Sequence, residues 1–310
     1  MRPTFSIKIA SYKRPEYLRE SIESILRQRI PFDSIEVFEN ASGFDESLIR
    51  ELTHAGRVDF KINQERVSPN ELFYSMATSV NPHDYVCFFH DDDRLHPEFL
   101  EEVVGNIAQH PDCALYASNA MVIDSFGGVK GKLLPIKELP VVMEERHELG
   151  LYLADSFLPC PGIVYRTADF IAPAELTKTY GNYWDVVFYG EVAKSGGVFL
   201  DGRALFDYRR HNGQLSNHTK WIHEDMAWQY FESLCSSDKE SSKAVEKKAK
   251  ARITQRWINA WLANEVKQLP FDWNRLCITT VHKCLRNNKK ALLKSSFVEL
   301  NKFFRHAHNF

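Results

Sequence analysis

Short apolar runs alternate with longer segments of helical periodicity over the first 110 residues. Phe5 to Ala10 is predicted as a strand. Arg14 to Arg29 then places Leu18, Ile22, Ile25 and Leu26 on one helical face, with Pro15 in the first turn, where proline is tolerated. Further strands are expected at Ile35 to Phe38, Val58 to Ile62 and Tyr85 to Phe89. Helices are expected at Glu46 to His54, Pro69 to Val80 and Pro97 to His110. Strand and helix in strict alternation predict an α/β fold with a mostly parallel sheet. Such sheets bind ligands beyond the carboxyl ends of their strands. Tyr12, Glu39 and the run Asp91-Asp92-Asp93 each follow a predicted strand, so they are expected to converge on one crevice.

The pattern changes after Cys113. Cys113 to Ile123, Gly162 to Arg166 and Val198 to Tyr208 read as strands with longer connections, and Gly127-Gly128 as a tight turn. A helix over Trp184 to Val192 ends at Ser195-Gly-Gly197. From Trp221 onward the chain reads as helical, in segments Lys243 to Val266, Phe271 to Leu285 and Ala291 to Phe304, with Ser236 to Ser242 as a linker. Two parts are therefore expected, Met1 to Ser216 and 217–310.

Charge supports that division. The net charge of -2 hides 16 Lys and Arg against 5 Asp and Glu from Lys239 onward, leaving 23 against 36 in the rest. A basic tail on an acidic body implies different partners for the two parts. Hydrophobic content of 44% in 310 residues is enough for a large core. No run of 18 apolar residues occurs, and the first ten residues are too charged for a secretory leader. The six cysteines are scattered without a Cys-x-x-Cys pair and read as small hydrophobes in a reducing compartment. A cytoplasmic protein is expected.

The candidate chemistry is concentrated at His90-Asp-Asp-Asp93. Three adjacent carboxylates repel one another, so a strand end that gathers them needs a cation. Hard oxygen ligands suit Mg²⁺ or Mn²⁺. Neither Gly-x-Gly-x-x-Gly after the first strand nor a Walker A sequence is present, which disfavours a dinucleotide fold and makes a metal more necessary for neutralising a diphosphate. The alternative is a solvated acidic loop.

Ile9-Ala-Ser-Tyr-Lys-Arg14, Glu36-Val-Phe-Glu-Asn-Ala-Ser42, His90-Asp-Asp-Asp93, Tyr183-Trp-Asp185 and Tyr208-Arg-Arg-His-Asn-Gly-Gln-Leu-Ser216 occur in that order. The ordered set resembles the family 2 glycosyltransferases of GT-A fold, over roughly Phe5 to Ser216. The resemblance implies inverting transfer of a sugar from a nucleotide-sugar donor, most simply a UDP-sugar, assisted by Mn²⁺ or Mg²⁺. It implies a glycan or lipid-linked acceptor in bacterial surface polysaccharide synthesis (lipopolysaccharide or capsule). By position it puts Ala10, Ser11 and Tyr12 beside the donor base and Glu39 where the family usually has an Asp. Arg14 and Asn70 become candidates for donor contact. It puts metal and ribose contacts among Asp91, Asp92 and Asp93, with His211 approaching the metal. Two registers stay open: His90 with Asp92, or Asp91 with Asp93. Asp185 matches the catalytic base, with Trp184 replacing the family's Glu and Glu191 as the rival base. Cys160-Pro-Gly162 matches the segment that shapes the sugar and acceptor site, where Gly162 would admit a ligand.

The basic tail, with Lys247, Lys248, Lys250, Arg252 and Arg256 near Trp257 and Trp261, suits either an anionic membrane surface or a solvated face packed on the body or on a second copy. No nucleic-acid-binding module is recognised. The departures at Glu39 and Trp184 keep a non-catalytic sugar-binding subunit open as an alternative. A nucleotidyltransferase would need a phosphate loop that the chain lacks.

Overall fold

The computed structural model describes residues 2–262 except 45, 55–57, 80, 136–139, 170–179, 181–182 and 214–220, with the side chains of 46, 48, 54, 221–225 and 256–262 also left out. The helices expected at Phe271 to Leu285 and Ala291 to Phe304, and the boundary at Ser216, lie outside the described residues.

Four parallel strands form the first half of the sheet: β1 (Phe5–Ser11), β2 (Ser34–Glu39), β3 (Val58–Ile62) and β4 (Tyr85–His90). Helices α1 (Pro15–Leu26), α2 (Glu46–His54) and α3 (Pro69–Thr78) connect them. The second half holds β5 (Arg94–Leu95), α4 (Phe99–Gln109), β6 (Cys113–Ile123), β7 (Val129–Lys132), β8 (Val141–Met143), α5 (Arg146–Leu153), β9 (Ile163–Arg166), α6 (Trp184–Val192) and β10 (Gly197–Arg209). Helices α7 (Trp221–Leu234) and α8 (Lys239–Leu262) follow. The sheet runs β3-β2-β1-β4-β9-β6-β10-β5, with β7 on β6 and β8 on β10.

The first half follows the apolar alternation. Both faces of the central strands are covered, so buried apolar residues point to both sides. On β4, Val86 and Phe88 enter one core layer while Tyr85, Cys87 and Phe89 enter the other. Lys8 falls on the first of these faces and is fully buried. Its Nζ donates to the Met76 and Ser79 carbonyls at 3.0 and 3.2 Å and to Ser79 Oγ at 2.7 Å, tying the C-terminus of α3 to β1. Burial pushes its pKa down to about 8.

Three features differ from the sequence reading. First, β9 runs antiparallel to both neighbours, β4 and β6, in the middle of an otherwise parallel core. Second, β5, β7, β8 and α5 were not anticipated, since segments of two to eight residues carry too few positions for a period. Third, the linker is shorter than expected. Asp238 Oδ2 accepts the Ser241 N–H at 2.8 Å, so Lys239 to Ser242 belong to α8.

Helices α7 and α8 pack on α5 and α6. Trp228, Phe231, Leu234, Val245 and Ala249 enter the same core layer as Phe88 and Phe188. Gly150 of α5 allows that approach, because a Cβ there would meet Cys235 Sγ at 2.5 Å and the Phe231 carbonyl at 3.1 Å. Cys87, Cys113, Cys160 and Cys235 are buried free thiols, and no helix among the described residues is long and apolar enough to cross a membrane.

Candidate functional site

A cleft of about 1690 Å³ runs along the carboxyl ends of β1 and β4 and continues past α6 to α7 and α8. At one end lie Ala10, Ser11, Tyr12, Arg14, Asn40, Arg66, His90, Asp92 and His211; Trp184 and Asp185 lie farther along; Trp228, Phe231 and Lys248 close the other end. The sheet brings these together because parallel register ends β1, β2 and β4 at one level, with Ala10 opposite both Phe38 and His90.

The turn after β1 is strained. Lys13 has φ of 57° and Ala41, after β2, has φ of 56°, the left-handed region that residues with a Cβ rarely adopt. A hydrogen bond from Lys13 N–H to Ser42 Oγ at 2.9 Å joins the two turns. Two cations approach the Tyr12 ring, Arg66 at 4.4 Å and Lys13 Nζ at 5.2 Å from its centroid. Glu39 and Asn40 take opposite directions. Glu39 is buried and accepts the Ser42 N–H at 2.6 Å, whereas Asn40 lines the cleft. Asn40 Oδ1 accepts the Val67 N–H and its Nδ2 donates to the Val67 carbonyl, both at 2.9 Å, pinning the loop that carries Arg66. Asn70 sits in the first turn of α3, whose capping box is made by Ser68 and Glu71.

The three aspartates of the triplet are all buried but point differently. Asp91 Oδ2 accepts the Tyr12 N–H at 2.9 Å, and its Oδ1 pairs with Arg14 at 2.5 Å. Asp92 Oδ2 receives Arg14 Nη1 at 2.5 Å and His211 Nε2 at 2.9 Å. The Gly213 N–H donates to His211 Nδ1 at 3.1 Å, so the neutral ring carries its proton on Nε2 and donates it to Asp92. Asp93 Oδ1 accepts the Arg209 N–H at 2.8 Å, while its Oδ2 has no hydrogen-bond donor and lies 3.6 Å from His90 Nδ1.

Electrostatics follow from this crowding. Burial pushes Asp91 up to about 7 against the pull of Arg14, and pushes Asp93 up to about 6 with help from the Asp92 charge. Burial acts on Asp92 too, but hydrogen bonding from His211 and the charge of Arg14 hold it below the ordinary range. His90 is raised: burial works against its charge, and Asp93 outweighs it.

The arrangement fits a divalent ion. His90, Asp92 and Asp93 each offer one ligand atom, all within 4.8 Å of one another. The undonated Asp93 Oδ2 is a lone pair waiting for a cation, and one imidazole with two carboxylates suits Mn²⁺ or Mg²⁺. This set shares Asp92 and Asp93 with the sequence-based candidates Asp91, Asp92, Asp93 and His211, and includes His90, which one of the two open registers pairs with Asp92. Asp91 is engaged with Tyr12 and Arg14, and His211 with Asp92, while His90 joins the cluster.

Asp185 occupies the first turn of α6 and accepts the N–H of Val186 at 2.9 Å. Burial in apolar surroundings pushes its pKa up to about 6. Trp184 packs on Phe73 with ring centroids 3.9 Å apart. Glu191, the rival base, is bound by the Tyr230 hydroxyl at 2.9 Å and by Lys194. Gly162 faces protein: a Cβ there would meet Phe206 Cε1 at 2.3 Å, so the expected close approach is that of a ring, not a ligand. Asn40, Arg66 and Lys248 are cleft residues that the motifs did not single out. Asn40 carried a signal in its place beside Glu39 in the second motif and Lys248 in the basic tail, whereas Arg66 carried none.

A family description, "Glycosyl transferase family 2", matches residues 6–170. An uncharacterised glycosyltransferase of Haemophilus influenzae is 22% identical over 228 residues, 69% of this chain and 68% of that protein. Protein CgeD of Bacillus subtilis is 25% identical over 125 residues, 38% of this chain, and the match spans 29% of its length. Among solved structures, S. aureus TarS residues 1–349 in complex with UDP-GlcNAc superposes with a TM-score of 0.60 at 13% identity, covering 84% of this chain and 75% of that one. Its complex with UDP gives 0.59 at 13% identity, covering 86% and 76%. The likeness establishes a GT-A-like fold.

Proposed function

We propose a reaction for this chain, which belongs to glycosyl transferase family 2 and is a glycosyltransferase: metal-assisted, inverting transfer of a sugar from a UDP-sugar to a hydroxyl of a glycan or lipid-linked glycan. The observation that carries the reading is one cleft lined by His90 and Asp92, which with Asp93 form a cation-ready cluster, and by Asp185, a carboxylate with a raised pKa.

The base of the donor stacks on Tyr12, beside the ends of β1 and β2, with Ala10, Ser11 and Asn40 lining that end, Glu39 holding the Ser42 turn behind it and Asn70 reaching it from α3. The UDP and UDP-GlcNAc bound in the two TarS structures support uridine as the base. His90, Asp92 and Asp93 would hold Mn²⁺ or Mg²⁺, which supplies Lewis-acid stabilisation of the departing diphosphate. His211 orients Asp92 through its Nε2–H. Asp185 takes the proton from the acceptor hydroxyl. A base works best with a pKa near the working pH, and burial moves Asp185 toward it. Trp184, Trp228 and Phe231 offer apolar faces along the acceptor end.

The two-part division at about Ser216, a cytoplasmic location with peripheral contact at the inner membrane through the basic helices, and a role in bacterial surface polysaccharide synthesis belong to the same proposal. Calorimetry with a set of nucleoside diphosphates, each with and without Mn²⁺, tests it, followed by nucleotide release from a panel of UDP-sugars. Metal-dependent UDP binding and slow UDP release are expected. Equal binding of UDP with and without metal removes the metal from the reading, and preference for another diphosphate removes uridine.

A further inference from the structure

Arg14 sits where two cations have claims. Its guanidinium reaches Asp91 Oδ1 and Asp92 Oδ2, each at 2.5 Å, and Nη1 lies 3.2 Å from His211 Nε2. Because Nε2 donates its proton to Asp92, that last approach is a contact of two donors, not a hydrogen bond. Arg209, the other guanidinium near the triplet, is committed elsewhere. It donates to the Asp92 carbonyl at 2.8 Å, to Glu20 at 2.5 Å and to the Ser125 carbonyl at 3.3 Å. Neutralising the Asp91 and Asp92 carboxylates thus falls to Arg14, with the neutral His211 adding a hydrogen bond to Asp92. Asp92 is also one of the three residues that can hold a divalent ion. A guanidinium and a divalent cation repel each other, so full occupation of Asp92 by one weakens the hold of the other.

We propose that Arg14 is an exchangeable counter-cation, which yields the carboxylates to the metal and carries its guanidinium to the donor's diphosphate. The proposal rests on the metal and diphosphate reading of the cleft. Three features of Arg14 fit the exchange. It stands at the N-cap of α1, directly after Tyr12 and Lys13, so its backbone is fixed at the cleft while its side chain can swing. Its side chain is 29% exposed, against 0% and 7% for the Asp91 and Asp92 side chains, so the cation is the mobile member. Its Nε is buried without a partner, so the present seat leaves one donor unspent. A planar fork with Nε and Nη donors matches two phosphate oxygens, which an aspartate pair of this geometry does not fully use.

Arg14 would then be a positioning residue that makes metal and diphosphate binding mutually favourable. Metal alone must displace Arg14 from Asp92 and leave it without an anion. Diphosphate supplies that anion. Linkage makes the coupling equal in both directions.

Calorimetry of Mn²⁺ alone, UDP alone, and each in the presence of the other tests this on the wild type, Arg14→Met and Arg14→Lys. In the wild type each ligand should tighten the other by roughly 5–150-fold. Arg14→Met should bind Mn²⁺ alone about tenfold more tightly, bind UDP with Mn²⁺ more weakly, and lose most of the coupling. Arg14→Lys keeps the charge without the fork. It should hold Mn²⁺ alone near the wild-type affinity and weaken only the complex with UDP, and it carries the test if Arg14→Met does not fold. Unchanged or weaker Mn²⁺ binding in a folded Arg14→Met overturns the exchange and leaves Arg14 a structural clamp. Absence of both Mn²⁺ and UDP binding in the wild type overturns the underlying reading as well, a result distinct from the first.

Discussion

Asp92 of the acidic triplet and Asp185 are carboxylates lining one cleft in opposite electrostatic surroundings. Asp91, Asp92 and Asp93 sit within a network of Arg14, His90 and His211, and Asp92 is held below its ordinary pKa by hydrogen bonding and charge although burial opposes it. Asp185 accepts the Val186 N–H, and burial drives its pKa up to about 6. The same side chain is thus prepared for two tasks. A carboxylate held ionised, as Asp92 is, suits a cation, and one with a raised pKa, as Asp185 has, suits proton transfer. Burial raises Asp91 and Asp93 as well, so the contrast rests on Asp92. Groups pushed apart in this way mark a division of labour between binding and proton transfer.

The sharpest way to break the comparison is Asp185→Asn. Turnover should fall by about 10²–10⁴ while UDP and Mn²⁺ affinity stay put, since the network at the other end is untouched. Single-turnover transfer and calorimetry on the same sample check both halves. Turnover near wild type would pass the role of base to another group. The pH profile of the wild type sharpens the point. The base must be ionised, so kcat should drop as pH falls through about 6, close to tenfold per unit. Stability has the opposite sense for this residue. Between its ordinary value and about 6, the unfolded chain releases the proton that the folded chain keeps, so Asp185 weakens folding as pH rises through that window. Asparagine resembles the protonated form and cannot ionise. Asp185→Asn should therefore melt higher than wild type at pH 7 and level with it near pH 4, which thermal denaturation at the two pH values reads directly.

Tyr12→Ala tests the other region. Loss of the stacking face should weaken UDP binding by about 1–3 kcal/mol, roughly 5–150-fold, and leave the acid limb of the kcat profile where it was. A shift of that limb would mean that the two regions are not independent.

The two regions also differ in how far they could be read in advance. The parallel half was legible because short apolar-rich strands ending before Tyr12, at Glu39 and before the triplet announce both the sheet and the level of its crevice. Side-chain direction was not legible. Glu39 turns into its own turn and Asn40 into the cleft, a choice made by the left-handed residue Ala41 and the contact with Ser42. The pairing of Arg14 with Asp91 and Asp92 joins residues about 78 positions apart and has no local signature. Around Asp185 the helix α6 was legible, but the antiparallel direction of β9 was not, since a four-residue strand carries no direction.

Gly162→Ala examines the wall behind Asp185. A methyl group there overlaps the Phe206 ring and presses on Ser118 Oγ at 3.0 Å. Overpacking of this kind costs about 1–3 kcal/mol. Chemical denaturation should show that loss with UDP affinity unchanged. An unchanged midpoint would show that Phe206 can turn aside and that the wall is softer than its packing suggests.

The smallest expected effect belongs to Arg66→Ala. Its guanidinium lies over the Tyr12 ring at 4.4 Å, on a loop pinned by Asn40. A cation on an aromatic face at an exposed site contributes about 0.5–1 kcal/mol. Here it does so by fixing the ring on which the base is proposed to rest. Arg66→Ala should weaken UDP binding about two- to fivefold without altering kcat, because the loop stays tethered through the Val67 backbone. Tighter binding would carry a different meaning: Arg66 and the base would be rivals for the same face of Tyr12, and the cation would have to leave before the donor could enter.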